Sequence, residues 1–239
     1  MTRTALITGA SRGLGATLAS FLAGRGWDLI IDARGSDALD AAAAALRNYG
    51  GRVRAIAGDI VDAEHRRALV AAANEGERLD LLVNNASVLG PSPLPPLAAL
   101  HLDSLHQVLE ANAVAPLALV QAALPLLEST GGLVVNVTSD AARGGYAGWG
   151  AYGASKAALE LVSLTLATEL RDRGVGVVTV DPGDMRTAMH QAAFPGEDIS
   201  DRPLPEATIP FWAWLLSRDP MEVTGRRLEA QADRWEVAA

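Results

Sequence analysis

The chain predicts a doubly wound α/β fold, in which helices cover both faces of one parallel sheet of about seven strands. Short apolar runs typical of buried strands alternate with helical patterns along all 239 residues. A glycine-rich turn at 9–15 separates the first of these runs from the first helical pattern. No linker-like composition and no internal repeat interrupts the alternation. We therefore expect one domain spanning 1–239.

Each element follows from its own local pattern. Strands are predicted at 4–8, 28–32, 53–57, 80–83, 133–138 and 175–180, with a weaker one near 227–231. Helices are predicted at 14–25, 37–48, 62–75, 102–128 and 153–172. The second helix contains five consecutive alanines, the best helix formers, and Gly50-Gly51 ends it. Right-handed crossovers would bring the carboxyl ends of the strands to one edge, where such sheets bind ligands.

Two stretches depart from this alternation. The segment 90–96 is proline-rich and follows a strand, so it predicts a loop at the rim of the site. The segment 184–218 is irregular, with four prolines and the aromatic cluster Phe211, Trp212 and Trp214.

Composition narrows the function classes. With 49% hydrophobic and 20% charged residues the chain resembles an ordinary globular domain, and its net charge of −8 argues against nucleic-acid or anionic-membrane partners. There is no cysteine, and His65, His101, His106 and His190 lack ligand spacing, so no metal site is expected. No apolar run reaches the ~18 residues of a membrane span. The first strand begins near residue 4, which leaves no room for a signal peptide and predicts a cytoplasmic protein.

Three residues indicate the chemistry: Ser139, Tyr152 and Lys156. Tyr152 and Lys156 are four residues apart, so on a helix they share one face. A lysine ammonium beside a phenol favours the phenolate, so we expect the pKa of Tyr152 to be lowered. Ser139 ends an apolar strand, which would place its hydroxyl at the ligand-binding edge. A hydroxyl that holds a carbonyl oxygen and a phenol that exchanges a proton suit carbonyl reduction.

A second motif lies at the start of the chain, Thr8-Gly9-Ala10-Ser11-Arg12-Gly13-Leu14-Gly15, between a strand and a helix. Its glycines allow a sharp turn and a close approach of a pyrophosphate to the backbone. The amino end of the following helix supplies free N–H groups and a positive dipole for phosphates. The motif therefore predicts a dinucleotide site.

Together these motifs resemble those of the short-chain dehydrogenase/reductase family in its small single-domain form, whose fold is of the Rossmann type. The landmarks, in the family's order, are the glycine motif, Asp59-Ile60, Asn84-Asn85-Ala86-Ser87, Asn112, Ser139, Tyr152 with Lys156, and Pro182-Gly183-x3-Thr187. One departure is Ser87, where the family usually has glycine.

The resemblance implies a role for each matching residue. Tyr152 would exchange the proton, Lys156 would tune it and bind the nicotinamide ribose, and Ser139 would hold the carbonyl. Asn112 would hold a water that links Lys156 to solvent. The remaining cofactor contacts would come from Gly9, Ser11, Arg12, Gly13, Leu14, Gly15, Arg34, Asp59, Ile60, Asn85, Ala86, Ser87, Pro182, Gly183, Met185 and Thr187.

The second strand bears on the choice between NADP(H) and NAD(H). An acid that binds the adenosine ribose favours NAD(H), and in NAD-preferring relatives it lies 18 residues after the last motif glycine. Counting 18 from Gly15 gives Ala33 rather than Asp32. Arg34 and Arg12 instead match the basic positions of NADP-preferring members, and guanidiniums suit a 2′-phosphate. We expect NADP(H), with NAD(H) as the alternative.

The substrate is expected to be a small carbonyl compound or alcohol, and the resemblance implies that the segment 184–218 forms a lid over it. Its pocket would be lined by Leu94, Tyr146, Trp149, Met189, His190, Phe211 and Trp212, although the Trp and Phe residues could equally pack the lid onto the core. By resemblance to its relatives the chain would form a homodimer or homotetramer through the helices at 102–128 and 153–172.

Two functions of other classes compete with this interpretation. Gly9-Ala10-Ser11-Arg12-Gly13 matches a hydrolase nucleophile elbow, and Asp181 and His190 follow it in the required order. That interpretation leaves Ser139, Tyr152 and Lys156 without a role. A catalytically silent dinucleotide sensor would be favoured by loss of Tyr152 or Lys156, and both are present.

Overall fold

The computed structural model describes residues 2–236, so residue 1 and residues 237–239 of the predicted domain lie outside the described part. Seven parallel strands form one sheet in the order β3-β2-β1-β4-β5-β6-β7. The strands are β1 Thr4–Ile7, β2 Asp28–Ala33, β3 Val53–Ala57, β4 Leu81–Asn84, β5 Leu133–Val137, β6 Gly176–Asp181 and β7 Arg227–Glu229. The predicted fold class and all seven predicted strands are confirmed.

The helices alternate with these strands. They are α1 Gly13–Ala23, α2 Ser36–Arg47, α3 Ala63–Asn74, α4 Leu102–Leu109, α5 Ala115–Thr130, α6 Gly150–Glu169, α7 Ala188–Ala193, α8 Ile209–Leu215 and α9 Pro220–Val223. Helical turns of the 3₁₀ type lie at Leu97–Ala99, Asp140–Ala142, Arg171–Arg173 and Pro205–Thr208.

Two apolar layers hold the helices to the sheet. The alternation of side chains along β1 sends Ala5 and Ile7 into one layer and Leu6 into the other. The first layer packs α1, α2 and α8 onto the sheet, and the second packs α3 and α5. Both faces of the strands are therefore buried, which explains why the strands are apolar throughout rather than alternating.

The strand order places a ligand site. From β1 the chain builds outwards through β2 and β3, and it then returns to the other side of β1 with β4. The connections after β1 and β4 therefore leave the sheet in opposite directions, and a crevice opens between them at the carboxyl ends of the strands.

The helix predicted at 102–128 is interrupted. Residues Glu110–Val114 form a π-helical turn between α4 and α5. Such a turn carries one more residue than an α-helical turn, and it is frequent at functional sites. Asn112 lies in this turn and is fully buried.

The run from α4 to α5, Leu102–Thr130, is long and apolar enough by length and composition to cross a membrane. The sequence analysis did not identify this run as a candidate span, because polar and charged residues interrupt it while its mean hydropathy stays high. Half of its most apolar window is buried inside the fold, and α5 packs against α3, as in the core helix of a globular protein.

Of the two interpretations of Phe211 and Trp212, packing of the lid onto the core is confirmed and lining of the substrate pocket is wrong. Both side chains are fully buried in the layer that packs α1 and α2 onto the sheet, and their rings contact each other edge to face. The Trp212 Nε1–H donates to Thr208 Oγ1 at 3.0 Å. Apolar burial with a satisfied indole N–H gives these residues a role in the core, away from the cleft.

Candidate active site

A cleft of about 1920 Å³ opens at the carboxyl ends of the central strands. Its volume is roughly twice the upper end of the range for a drug-sized ligand, so it has room for a dinucleotide together with a second small molecule. Every residue predicted to bind cofactor or to act in catalysis lines this cleft except Asn112 and Gly15, which lie directly behind its wall. Leu94 packs against the cluster of Leu89, Ala141 and Tyr152 at the substrate end without lining the cleft.

The glycine turn makes one end of the cleft. Gly9 has φ +67° and Gly13 has φ +57°, in the left-handed region that favours glycine. A Cβ at Gly15 would lie 2.4 Å from the Gly9 carbonyl oxygen, so α1 packs onto the turn with no room for a side chain. The amino end of α1 thus faces the cleft next to Ser11 and Leu14.

Asn85 and Thr8 hold the glycine turn in place. The Asn85 side-chain amide donates to the carbonyl oxygens of Thr8 and Gly9, at 2.8 and 3.1 Å. The Thr8 hydroxyl oxygen accepts from the backbone N–H groups of Asn85 and Ala86, both at 3.0 Å. The side-chain amide of Asn85 therefore faces the glycine turn, and the predicted contact with a cofactor ribose would have to come from the Asn85 backbone. The sequence analysis did not assign Thr8 a role.

Asp32 is turned away from the open cleft. Its Oδ1 accepts from the Gly9 N–H at 2.7 Å, and its Oδ2 lies 2.9 Å from His65 Nε2, with both side chains almost completely buried. A Cβ at Gly58 would lie 2.3 Å from the His65 ring, so the same pair supports the turn before Asp59. Asp32 and His65 thus join three segments around the cleft, and no sequence signal pointed to this pair.

Arg12 and Arg34 lie exposed at the same end of the cleft. Within residues 2–236 neither guanidinium is hydrogen-bonded or ion-paired, so both present free N–H donors to the cleft. Asp59 and Ile60 line the wall nearby, and Asp59 Oδ1 accepts from the Val61 N–H at 3.1 Å. Asp59 therefore also stabilises the turn after β3.

Ser139, Tyr152 and Lys156 come together at the other end of the cleft. Ser139 follows β5, and its hydroxyl donates to Asp140 Oδ1 at 2.9 Å. Tyr152 and Lys156 share one face of α6, with the Lys156 Nζ 5.5 Å from the centre of the Tyr152 ring. The Lys156 ammonium donates to the carbonyl oxygen of Val137, the last residue of β5, at 2.8 Å.

The expected lowering of the pKa of Tyr152 is not found. Burial raises the pKa of Tyr152 to about 12, and a side-chain hydrogen bond with Ser87 opposes this rise only in part. Burial also lowers the pKa of Lys156 to about 8. Desolvation outweighs the attraction between the two groups because both are almost fully buried and the ammonium is held on Val137.

All hydrogen-bonding groups of the Asn112 side chain have protein partners, so the predicted water between Lys156 and solvent stays a prediction and would have to be held by the Asn112 backbone. Its Oδ1 accepts from the Val88 N–H and the Ser87 hydroxyl, at 2.8 and 3.2 Å. Its amide donates to the Val88 carbonyl oxygen and to Ser155 Oγ, at 2.9 and 3.0 Å. Asn112 thereby fixes the segment after β4 against α6, and Ser87 connects it to the Tyr152 phenol.

The segment 182–187, which follows β6, lines the cleft. Gly183 has φ +73°, and its N–H donates to Asp181 Oδ1 at 2.9 Å, which turns the chain after Pro182. Met185 and Thr187 line the cleft, and Thr187 faces Gly13 across it. The Thr187 hydroxyl oxygen caps α7 by accepting from the His190 N–H at 3.2 Å.

Aromatic side chains form the wall beside Tyr152. The Trp149 ring contacts Tyr152 and Phe194, with centroid distances of 5.7 and 6.0 Å, and Phe194 contacts His190. Tyr146 and Met189 also line this end of the cleft, as predicted. Phe194 belongs to the predicted lid, but the sequence analysis did not identify it as a wall residue.

The hydrolase alternative finds no support in the arrangement of side chains. Within residues 2–236 Ser11 has no histidine partner, and Asp181 is paired with Arg227 at 2.7 Å. His190 instead lies near Asp184, with Nδ1 and Oδ1 3.8 Å apart. Among the same residues no group of three His, Asp or Glu side chains is arranged to hold a metal ion.

The model of the short chain dehydrogenase family matches residues 3–198, which include both ends of the cleft. The chain belongs to this family. It is accordingly an oxidoreductase of the short-chain dehydrogenase/reductase type.

Relatives of known sequence agree with this assignment. The oxidoreductase YciK of Escherichia coli (strain K12) is 34% identical over 237 residues, covering 97% of this chain and 93% of the relative. Serine 3-dehydrogenase of Agrobacterium fabrum is 37% identical over 78% of this chain and 74% of its own length.

Solved structures of the family superpose closely. A short chain dehydrogenase from Shigella flexneri complexed with NADP has a TM-score of 0.89 at 33% identity, covering 96% of this chain and 97% of that one. One from Escherichia coli CFT073 complexed with NADPH has a TM-score of 0.88 at 33% identity, with the same coverage of both chains.

Proposed function

We propose that this family member is an NADP(H)-dependent oxidoreductase that interconverts a carbonyl group and an alcohol, with Tyr152 as the acid–base group. The observation that carries the proposal is that one cleft is lined by both groups of predicted residues. Ser139, Tyr152 and Lys156 line one end, and the glycine turn with Arg12 and Arg34 forms the other.

The residues at the glycine end fit the cofactor. The glycines leave the backbone bare where a pyrophosphate would approach, and the amino end of α1 faces that space. Two guanidiniums without protein partners in residues 2–236 suit a 2′-phosphate. The similar structures crystallised with NADP and NADPH support this choice. Bound NADPH would supply the hydride for reduction.

NAD(H) is the weaker alternative because Asp32, the acid nearest the position that selects NAD, is already engaged. Both of its carboxylate oxygens are bound, one by the Gly9 N–H and one by His65. Its side chain is therefore directed at the protein interior rather than at a ribose hydroxyl.

The three residues at the substrate end have separate proposed roles in the reaction. Tyr152 donates its proton to the carbonyl oxygen, and a pKa of about 12 keeps the phenol in the acid form that reduction needs. Ser139 presents a hydroxyl to hold and polarise the same oxygen. Lys156 adds a buried ammonium one helical turn from Tyr152. Its proposed role is to bind the nicotinamide ribose.

An assembly and a location are also proposed for this protein. The helices α4 and α6 expose large apolar side chains, among them Leu102 on α4 with Leu161 and Leu164 on α6. Burying these side chains would stabilise a homodimer or homotetramer. A cytoplasmic location stays a prediction from the sequence.

The experiment follows the absorbance of NADPH during incubation of the purified protein with a panel of ketones and aldehydes, with NADH in parallel. Tyr152→Phe should lose ~10²–10⁴-fold in turnover and still bind NADPH, because the phenol acts on the substrate oxygen. Tyr49→Phe is the matched control, since Tyr49 is exposed just after α2 and does not line the cleft. Turnover by Tyr152→Phe within a few-fold of wild type would remove Tyr152 from the acid–base role.

Ser139→Ala separates the substrate oxygen from the cofactor. Its turnover should fall while its affinity for NADPH stays near that of wild type. A variant with a defect mainly in NADPH binding would place Ser139 in the cofactor site instead.

A further inference from the structure

Asp140, directly after Ser139, presents a carboxylate at the substrate end of the cleft. It accepts hydrogen bonds from the Ser139 hydroxyl, at 2.9 Å, and from the Tyr146 phenol. That second bond raises the pKa of Tyr146, as expected when a phenol donates to an anion. Within residues 2–236 no lysine, arginine or histidine pairs with Asp140, so its carboxylate is hydrogen-bonded by neutral hydroxyl groups and its charge is not compensated.

His190 lines the same wall, and its side chain is nine-tenths buried. Its Nδ1 lies 3.8 Å from the Asp184 carboxylate. Its Nε2 has no hydrogen-bond partner among the described residues and is itself buried beneath the surface of the cleft, so the ligand contacts of this wall are assigned to Asp140.

Aromatic rings line the same end of the cleft as Asp140. Trp149, Phe194 and Tyr152 form a continuous wall, and Tyr146 is half exposed opposite Gly144, where a Cβ would collide with its ring. The faces of aromatic rings attract cations, and more strongly where water is excluded. The carboxylate and the ring faces together favour a ligand that donates hydrogen bonds and carries positive charge.

The other charges near this end are already neutralised or lie elsewhere. Asp181 is paired with Arg227, and Asp184 lies 3.6 Å from Arg202. The Lys156 ammonium is buried on Val137. Arg186 faces Asp198, whose pKa is lowered mainly by bonds with Ser200 and in part by this arginine. Asp140 is thus the uncompensated charge next to Ser139.

We propose that the substrate is a carbonyl compound or alcohol bearing a protonated amine, with the ammonium bound by Asp140 against the Tyr146 ring. This inference rests on the proposed function, whose substrate class it specifies. Because Ser139 Oγ and Asp140 Oδ1 are only 2.9 Å apart, one small molecule can reach both. Its amine then lies on the carbon next to the reacting carbon or one carbon further. Its ammonium also replaces Ser139 as the partner of Asp140, which frees the Ser139 hydroxyl for the substrate oxygen.

The kinetic test uses isosteric alcohols and NADP⁺ at a pH that keeps the amines protonated. It compares 2-amino-1-phenylethanol with 1-phenylpropan-1-ol, and 1-aminopropan-2-ol with butan-2-ol. In the wild type kcat/KM should be about tenfold or more higher for each amine, the value of one hydrogen bond to a charged group. Asp140→Asn should reduce this ratio by a similar factor. Asp172→Asn, which removes one exposed charge just before the amino end of β6, should leave the ratio unchanged.

A binding test keeps this inference separate from the proposed function. Calorimetric titration of the enzyme–NADP⁺ complex with 2-amino-1-phenylethanol should show binding that Asp140→Asn weakens about tenfold or more. This result without turnover would support the ammonium site and contradict the proposed reaction. Turnover of all four alcohols with equal kcat/KM would support the reaction and overturn the ammonium site. Equal binding to wild type and Asp140→Asn would also overturn it.

Discussion

The backbone of Gly153 packs against the carbonyl of Ala141 so closely that a Cβ at position 153 would lie 2.5 Å from that oxygen. Gly153 follows Tyr152 on α6, and Ala141 lies two residues after Ser139. The contact therefore sets the distance between the helix that carries the phenol and the turn that carries the hydroxyl. Because a backbone oxygen cannot move aside like a flexible side chain, only glycine allows this packing.

Gly153→Ala should therefore separate Tyr152 from Ser139. Displacement of a catalytic group by about 1 Å can cost ~10²-fold in rate, so we expect turnover to fall by about that factor. NADPH affinity should change less, since the glycine turn is remote from the contact. The control is Gly24→Ala at the end of α1, where a Cβ makes only ordinary contacts. Steady-state kinetics and NADPH titration of both variants test this, and unchanged turnover in Gly153→Ala would contradict it.

Arg34→Ala should weaken NADPH binding by about tenfold or more and NADH binding little, because one charge-assisted bond to the 2′-phosphate is lost. Arg171→Ala, which removes an exposed arginine just before the amino end of β6, is the control for net charge. Fluorescence titration with both cofactors gives the dissociation constants. Equal losses for NADPH and NADH would show that Arg34 does not contact the phosphate.

Lys156→Met should be inactive and yet more stable than wild type at neutral pH. Burial lowers the pKa of Lys156 from 10.5 to about 8, so the charged form costs stability in the folded state. Replacement by an apolar side chain should raise the free energy of unfolding by about 1–3 kcal/mol at pH 7, less the value of the bond to Val137.

The pH dependence of this gain distinguishes the cause. Between about pH 8 and 10.5 the unfolded wild type binds more protons at Lys156 than the folded protein, so wild-type stability rises across this window. The gain of Lys156→Met should therefore shrink over the same range. Urea unfolding at several pH values measures it, and a gain that is independent of pH would exclude the buried charge as its source.

Tyr152 should keep its proton well above the pKa of a free phenol, because burial raises its pKa to about 12. The ultraviolet absorbance of tyrosinate, measured as wild type minus Tyr152→Phe, should show no titration of this residue between pH 6 and about 11. A midpoint below ~10 would mean instead that the Lys156 ammonium governs the phenol. Oxidation, which needs the phenolate, should accordingly be slow at neutral pH and accelerate with alkalinity.

The fold was predictable from the sequence because its signals are local. The apolar strands, the glycine turn and the spacing of Tyr152 and Lys156 depend on periodicity and on residues within a few positions of each other. The partners of Asn112 were not predictable, because the nearest lies 24 residues away, across the cleft wall. The pKa of Tyr152 was misjudged because burial, a property of the whole fold, outweighs a neighbouring charge.

Aromatic residues show the same limit. A cluster such as Phe211 and Trp212 indicates that something is buried, but its composition does not tell a pocket from the core. In the structure both pack beneath α1, whereas Trp149 and Phe194 face the cleft. The π-helical turn at Glu110–Val114 was missed because one extra residue in a turn leaves the apolar pattern nearly unchanged.

The pair formed by Asp32 and His65 has a consequence for protein engineering. Redesign of cofactor preference usually begins with the acidic or basic residues at the end of the second strand, and here two such residues, separated by Ala33, have different functions. Arg34 is solvent-facing and open to exchange, whereas Asp32 holds the Gly9 N–H and His65 and thereby the loops on either side. A library that diversified both positions together would lose most of its members to misfolded loops, so the search for an NAD-using variant is best confined to positions 12, 33 and 34.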